Sequence, residues 1–172
     1  MRKEIDNITS ESICPNCKSL GISPENHNAS YTRMDKYKCW LEIARLISLR
    51  SHDSVTQHGC LLIKEDRIIS SGFNGYPIGF PDAILPNIRP HKNRWMIHAE
   101  LNCLLNAAKN GVSTLDSELI LTGRPCPECL KALIQAGIKK IYMGNKGYST
   151  LESDEVFFNK LVELSKINII QL

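Results

Sequence analysis

The sequence predicts an α/β fold: three α/β/α layers around a five-stranded mixed sheet, preceded by a polar extension. Three observations carry that prediction. Short apolar runs of strand length alternate with segments of helical periodicity. The first two strand candidates are separated by only a turn, so they form a hairpin. A helix-length segment separates the last two strands, so those two run parallel. At 172 residues, 42% of them apolar, the chain suffices for one well-buried domain and is too short for two of ordinary size.

The elements follow in order. Residues 1–34 are polar and irregular, with Cys14-Pro15-Asn16-Cys17 and Gly21 among them, and the domain is expected over 35–172. Trp40, Ile43, Ala44 and Ile47 recur at i, i+3, i+4 and i+7, which predicts a helix from about Asp35 to Arg50. Leu61-Leu62-Ile63 and Ile68-Ile69 read as strands, with Asp66-Arg67 as their turn. A long loop containing Gly75, Pro77, Gly79, Pro81, Pro86 and Pro90 comes next, and loops of that length are commonly functional. Leu101, Leu104, Leu105 and Ala108 fit a helix closed by Gly111, followed by a strand at Leu119-Ile120-Leu121. Cys126 to Ala136 is helical with Gly137 as its C-cap. Ile141-Tyr142-Met143 is a strand, Ser153 to Ser165 a helix and Ile167 to Ile170 the last strand. The alternation implies a largely parallel sheet covered on both faces.

Charge and cysteine content narrow the function. The balance of 21 Lys+Arg against 18 Asp+Glu leaves +3, too little for a binder of long nucleic acids. No apolar run approaches the roughly 20 residues of a membrane span, and Met1-Arg2-Lys3-Glu4-Ile5-Asp6 does not resemble a signal peptide. A cytoplasmic location is expected, where clustered cysteines bind metal more often than they form disulfides. Of the seven cysteines, Cys39, Cys60 and Cys103 lie in apolar contexts and read as buried thiols.

Two segments at helix starts carry the chemistry: His98-Ala99-Glu100 and Pro125-Cys126-Pro127-Glu128-Cys129. Cys126 and Cys129 are three apart, on one helical face, where two sulfurs can share a metal. A helix N-terminus favours the thiolates that a metal needs. His98 supplies a third ligand and leaves a fourth position open, as in a catalytic zinc site. Glu100 can face that open position only within the first turn, where it can accept a proton from water and pass it on. Each element alone has an ordinary reading: a structural half-site for the cysteines, a core position for the histidine. Together, H-x-E followed by P-C-x-x-C is the signature of zinc nucleobase deaminases.

Within that superfamily the chain resembles the deoxycytidylate deaminases. The resemblance rests on Arg50-Ser51-His52-Asp53 with Gln57-His58-Gly59, on Gly72-Phe73-Asn74-Gly75-Tyr76-Pro77-Ile78-Gly79 continued by Asp82-Ala83-Ile84-Leu85-Pro86, and on His98-Ala99-Glu100-Leu101-Asn102. It spans about Tyr37 to Tyr148. It implies a cytidine-deaminase-like fold and zinc-dependent deamination of dCMP to dUMP, which supplies thymidylate synthesis. His98, Cys126 and Cys129 would hold the zinc, and Glu100 would be catalytic. Asn74 and the Ala99 backbone N–H would bind substrate, and Arg50 and Tyr148 would contact the 5′-phosphate. The glycine-rich loop, with Gly75 and Gly79, resembles the family's site for dCTP and dTTP as effectors, and the family implies a homo-hexamer. Arg124 departs from the pattern, which has a smaller, apolar or acidic residue before the proline. The basic stretch Arg89-Pro90-His91-Lys92-Asn93-Arg94 has two readings, steering of an anionic nucleotide or a solvated loop, and the second is preferred. Cys14, Cys17 and His27 have the look of a second, structural zinc site, with His91 or Cys39 as a fourth ligand. The rival readings are a deaminase for tRNA adenosine or a free base, and a nucleotide-binding protein that kept the fold without the activity.

Overall fold

The computed structural model describes residues 33–146 and 151–172. Cys14, Cys17, His27 and Tyr148 lie outside the described residues. Residues Asp35–Leu172 form one compact unit.

Helix α1 runs Lys36–Ser48, and its first turn is closed by Asp35, whose carboxylate accepts from the Tyr37 and Lys38 amides at 3.1 and 3.0 Å. Strands β1 (Gly59–Lys64) and β2 (Arg67–Phe73) form the expected hairpin. The turn sits at Glu65-Asp66, one residue before the expected position, and both residues have positive φ, 51° and 58°. Two-residue hairpins favour that backbone because its twist matches the strands, and neither position holds the glycine or asparagine that would have marked it.

Residues 74–98 follow, with 3₁₀ turns at Asp82–Ile84 and His91–Arg94. Helix α2 (Ala99–Lys109), strand β3 (Glu118–Gly123), helix α3 (Pro127–Gln135), strand β4 (Lys140–Lys146), helix α4 (Glu152–Ser165) and strand β5 (Asn168–Gln171) complete the chain. Gly137, with φ +78°, ends α3 in the left-handed conformation expected of a helix-terminating glycine.

The sheet order is β2-β1-β3-β4-β5. β3, β4 and β5 are parallel, as the crossover helices α3 and α4 require, whereas β1 is antiparallel to both β2 and β3. Half of the pairings are therefore parallel, fewer than a largely parallel sheet would have.

Strand alternation sorts the core into two layers. Leu61, Ile63, Ile120 and Tyr142 face α1, where they bury Leu41 and Ala44. Cys60, Leu62, Leu119, Leu121 and Ile141 face the other way, onto Ala99, Cys103, Leu130, Leu133 and Phe158 of α2, α3 and α4. The buried stripe of α1 is Leu41, Ala44 and Ser48; Cys39 lies off that stripe and is exposed, unlike the buried Cys60 and Cys103. No helix among the described residues is long and apolar enough to cross a membrane.

Candidate active site

Both motif segments occupy helix starts on the same face of the sheet. His98 is the N-cap of α2, with extended backbone (φ −67°, ψ 155°), and Cys126 is the N-cap of α3 (φ −73°, ψ 162°). The Cys126 sulfur accepts from the Cys129 amide at 3.4 Å, the capping role that serine or aspartate fills elsewhere. Helix α2 is held to β2 by three side-chain bonds: Ser70 Oγ to Cys103 O at 2.8 Å, Asn102 Nδ2 to Phe73 O at 2.7 Å and Asn106 Nδ2 to Ser71 O at 3.2 Å. Gly72 permits that approach, since a Cβ there would lie 2.5 Å from both Ala99 O and Cys103 N.

The histidine and cysteines converge. His98 Nδ1 lies 3.5 Å from Cys126 Sγ and 3.5 Å from Cys129 Sγ. Zinc bonds of about 2.3 Å to sulfur and about 2.0 Å to nitrogen, opened to the tetrahedral angle, separate the two ligand atoms by about 3.5 Å. The donor set and its spacing thus fit zinc. Among the described residues, these three form the group of His, Cys, Asp and Glu side chains whose ligand atoms gather within 4.8 Å.

Their protonation shows the same poise. A hydrogen bond from Cys129 and another from His98 outweigh burial and bring the Cys126 thiol down to about 4. The same Cys126 contact, with burial, pushes Cys129 up, and hydrogen bonding to the Cys126 sulfur raises His98. Glu100, 5% exposed, is pushed up to about 7 by burial.

The cavity above these groups takes in about 630 Å³ including its open mouth, within the range of small-molecule sites. It is lined by His98, Ala99, Glu100 and Cys126 from the two motif segments and by Asp53, Thr56, His58 and Asn74. Arg89, Lys92, Asn93 and Met96 of the loop before α2, and Arg124, complete the lining.

The sequence-predicted residues fall unevenly around this cavity. Asn74 and Ala99 line it. The Asn74 amide is largely committed: Nδ2 donates to Thr56 O at 2.9 Å and Asp53 Oδ2 at 3.4 Å, and Oδ1 accepts from the His58 amide at 2.7 Å. Arg50 is exposed beyond the end of α1 and is not among the lining residues. Gly75 is buried and bridges to Ile97, its N–H donating at 3.0 Å and its carbonyl accepting at 2.8 Å. Gly79 is exposed with φ +86°.

Several lining residues were not marked by the motifs. Arg89 and Lys92 come from the stretch that reads as a solvated loop, yet both line the cavity and Lys92 is buried. His58 is half-buried, its Nδ1 lies 3.2 Å from Thr122 Oγ1, and burial together with Lys146 lowers its pKa to about 4. Arg124 donates to Glu155, and its guanidinium stacks 3.8 Å over the Phe158 ring, so α4 holds it against the cavity. The sequence signals for these residues were the clustered positive charge at 89–94, the departure at Arg124 and, for His58, its place in the Gln57-His58-Gly59 segment, none of which assigned a role.

The model of the cytidine and deoxycytidylate deaminase zinc-binding region matches residues 34–145. A probable deoxycytidylate deaminase of Caenorhabditis elegans is 36% identical over 114 residues, which cover 63% of this chain and 57% of that protein. The chain thus spans little more than half the length of that relative. The deoxycytidylate deaminase of Homo sapiens is 35% identical over 145 residues, covering 77% of this chain and 79% of the relative. Among solved structures, the dCMP deaminase of cyanophage S-TIM5 in complex with dCMP and dUMP aligns with a TM-score of 0.66 at 26% identity, over 83% of this chain and 100% of that one. The α/β topology, the H-x-E and P-C-x-x-C segments at adjacent helix starts and these matches agree: the chain belongs to the cytidine and deoxycytidylate deaminase family.

Proposed function

We propose that the protein is a zinc-dependent hydrolase that converts dCMP to dUMP and ammonia. The observation that carries the proposal is a His/Cys/Cys cluster at tetrahedral spacing, two of whose members, His98 and Cys126, line the same cavity as a buried carboxyl, Glu100, two residues from the histidine. His98, Cys126 and Cys129 hold the metal. Zinc, when bound, lowers the pKa of water toward 7 and so supplies a nucleophile at neutral pH.

Glu100 moves the protons. Burial raises its carboxyl above the ordinary carboxylate value, which suits a group that must hold a proton between two transfers. It accepts a proton from the attacking water, delivers it to ring N3 and then protonates the departing amine. In balance, water contributes its oxygen to C4, one hydrogen to N3 and the other to ammonia. The Ala99 N–H, at the start of α2, has no carbonyl within the helix to bond and is suited to hold the pyrimidine carbonyl. The remaining Asn74 Oδ1 lone pair receives a sugar hydroxyl.

A nucleotide substrate is supported by the cations around the cavity and by relatives named for deoxycytidylate. Arg89 and Arg124, which line the cavity, supply positive charge for the 5′-phosphate, with Tyr148 as a further contact; Arg50, outside the lining, is set aside. In the same proposal residues 1–34 are a separate extension in which Cys14, Cys17 and His27 bind a structural zinc. The chain assembles as a homo-hexamer in the cytoplasm, and Gly75 and Gly79 belong to a site for dCTP and dTTP. Zinc counting tests the second metal: two per chain, falling to one in Cys14→Ser/Cys17→Ser.

The substrate is tested by comparing dCMP, deoxycytidine and a tRNA anticodon stem. dCMP should be deaminated with kcat/KM at least about tenfold above deoxycytidine, the worth of one charge-assisted phosphate contact. Intact dCMP in the presence of stoichiometric zinc would overturn the proposal, and turnover of the tRNA stem alone would reassign the substrate.

A further inference from the structure

Lys92 is 2% exposed, the most deeply buried charged residue among those described. Burying an ammonium costs several kcal/mol unless a well-placed partner offsets it. The partner is Asp53, 4% exposed and 39 positions earlier. Burial works against the Asp53 charge, but Lys92 and the Thr56 and Val55 amides outweigh it and hold the carboxyl below its ordinary value.

Asp53 is the hub of the cavity wall. It accepts from the Val55 and Thr56 amides at 2.9 and 2.8 Å and from Asn74 Nδ2 at 3.4 Å. Asn74 in turn holds the His58 amide. Ser51 Oγ accepts from the Asp53 amide at 3.1 Å and donates to Asn74 O at 2.6 Å. Lys92 belongs to the 3₁₀ turn His91–Arg94 of the loop before α2, where its carbonyl accepts from the Trp95 and Met96 amides at 2.9 and 3.0 Å. The pair therefore joins two chain segments that both line the cavity: one carries Thr56, His58 and Asn74, the other Arg89, Asn93 and Met96. Nearby ties between the same segments, His52 with Asp82 and Asn87 with His52 O, are exposed. The metal ligands and Glu100 rest on a different support, the helix starts anchored by Ala99, Cys103, Leu130 and Leu133 in the core.

We propose that Lys92 and Asp53 are positioning residues: their buried ion pair fixes the substrate-facing walls of the cavity without touching the metal or the reacting atoms. As a statement about substrate, this rests on the dCMP reading above.

Lys92→Met and Asp53→Asn each leave one buried partner unmatched, whereas the double variant neutralises both and removes that penalty. Each single variant should raise KM for dCMP about tenfold or more, the value of one lost charge-assisted contact, while kcat and bound zinc stay near wild type. The double variant should regain thermal stability and keep the raised KM. A KM that returns with stability would make the pair structural only, and a fall in kcat at unchanged KM would place its action at the reacting centre; either overturns the proposal. Amide exchange gives a readout free of substrate. In Lys92→Met the Val55, Thr56, His58, Trp95 and Met96 amides should exchange at least about tenfold faster, with Cys103 to Ala107 of α2 unchanged. Unchanged exchange at the walls overturns the proposal. Failure of wild-type protein to deaminate dCMP would sink the functional reading alone, since exchange still decides the positioning role.

Discussion

Replacing Gly72 by alanine perturbs helix α2 through its backbone, without altering the metal-cluster side chains or Glu100. The new Cβ would stand 2.5 Å from Ala99 O, 2.5 Å from Cys103 N and 2.9 Å from Cys103 Cα. All three neighbours are helix backbone, so no flexible side-chain end can step aside. Helix α2 must lift from β2 by about half an ångström, straining the Ser70, Asn102 and Asn106 bonds that clip it there. Overpacking of this kind costs about 1–3 kcal/mol. For a chain of this size each kcal/mol lowers Tm by about 2–4 °C. The start of α2 carries His98, Ala99 and Glu100, and a misplacement of about 1 Å can cost about 10²-fold in rate, so kcat should fall tenfold or more. Thermal melts and dCMP turnover read both effects. Gly111→Ala is the control, because its φ of +67° is strained for alanine while the space around it is open. It should lose stability by about 1–2 kcal/mol and leave kcat alone. A Gly72→Ala protein with wild-type Tm and kcat would refute the reasoning.

Four further outcomes are expected. Glu100→Gln should keep its zinc, because the carboxyl is not a ligand, and lose about 10²–10⁴ in kcat, checked by metal analysis beside turnover. Arg124→Leu removes a cation from the cavity wall together with its contacts to Glu155 and Phe158; KM for dCMP should rise about tenfold while metal content holds. A chelator should lower Tm and restored zinc should recover it, since a metal that binds only the folded chain stabilises it. His58 governs acid stability. It is neutral in the fold down to about 4, whereas in the unfolded chain it takes a proton near 6.5, so stability is intact above pH 6.5 and falls between 6.5 and 4. The loss is at most about 3 kcal/mol, read from urea midpoints, and His58→Asn should flatten that part of the profile.

How much of the molecule could be read from sequence follows from which forces act locally. The unbroken apolar run Leu61-Leu62-Ile63, buried on both faces of β1, and the helical spacing of Trp40, Ile43, Ala44 and Ile47 both follow from local burial, so those elements were legible. The hairpin turn was displaced by one residue because its left-handed backbone sits on Glu65 and Asp66, which carry no turn signature. Cys39 sits among apolar neighbours yet lies off the buried stripe of α1.

The metal cluster was legible for a related reason. His98, Cys126 and Cys129 occupy two helix starts, each marked by its own short motif, and only their convergence into a group that could hold a metal required the fold. The cavity walls were hidden because they depend on distant pairs. Lys92 looks like a solvated charge until Asp53 is brought to it, and Arg124 looks anomalous until Glu155 and Phe158 arrive on α4. The antiparallel pairing of β1 with β3 is likewise a matter of long-range topology that strand alternation does not encode.

The central claim is that Glu100 and the His98, Cys126 and Cys129 cluster together deaminate dCMP. Its most direct test is to measure ammonia and dUMP released from dCMP by the zinc-loaded protein, beside zinc-loaded Glu100→Gln. Equal amounts of ammonia and dUMP from the wild type, with release cut at least about 10²-fold in the variant, is the expected result. Intact dCMP with a full complement of zinc, or equal release by the two proteins, would contradict it.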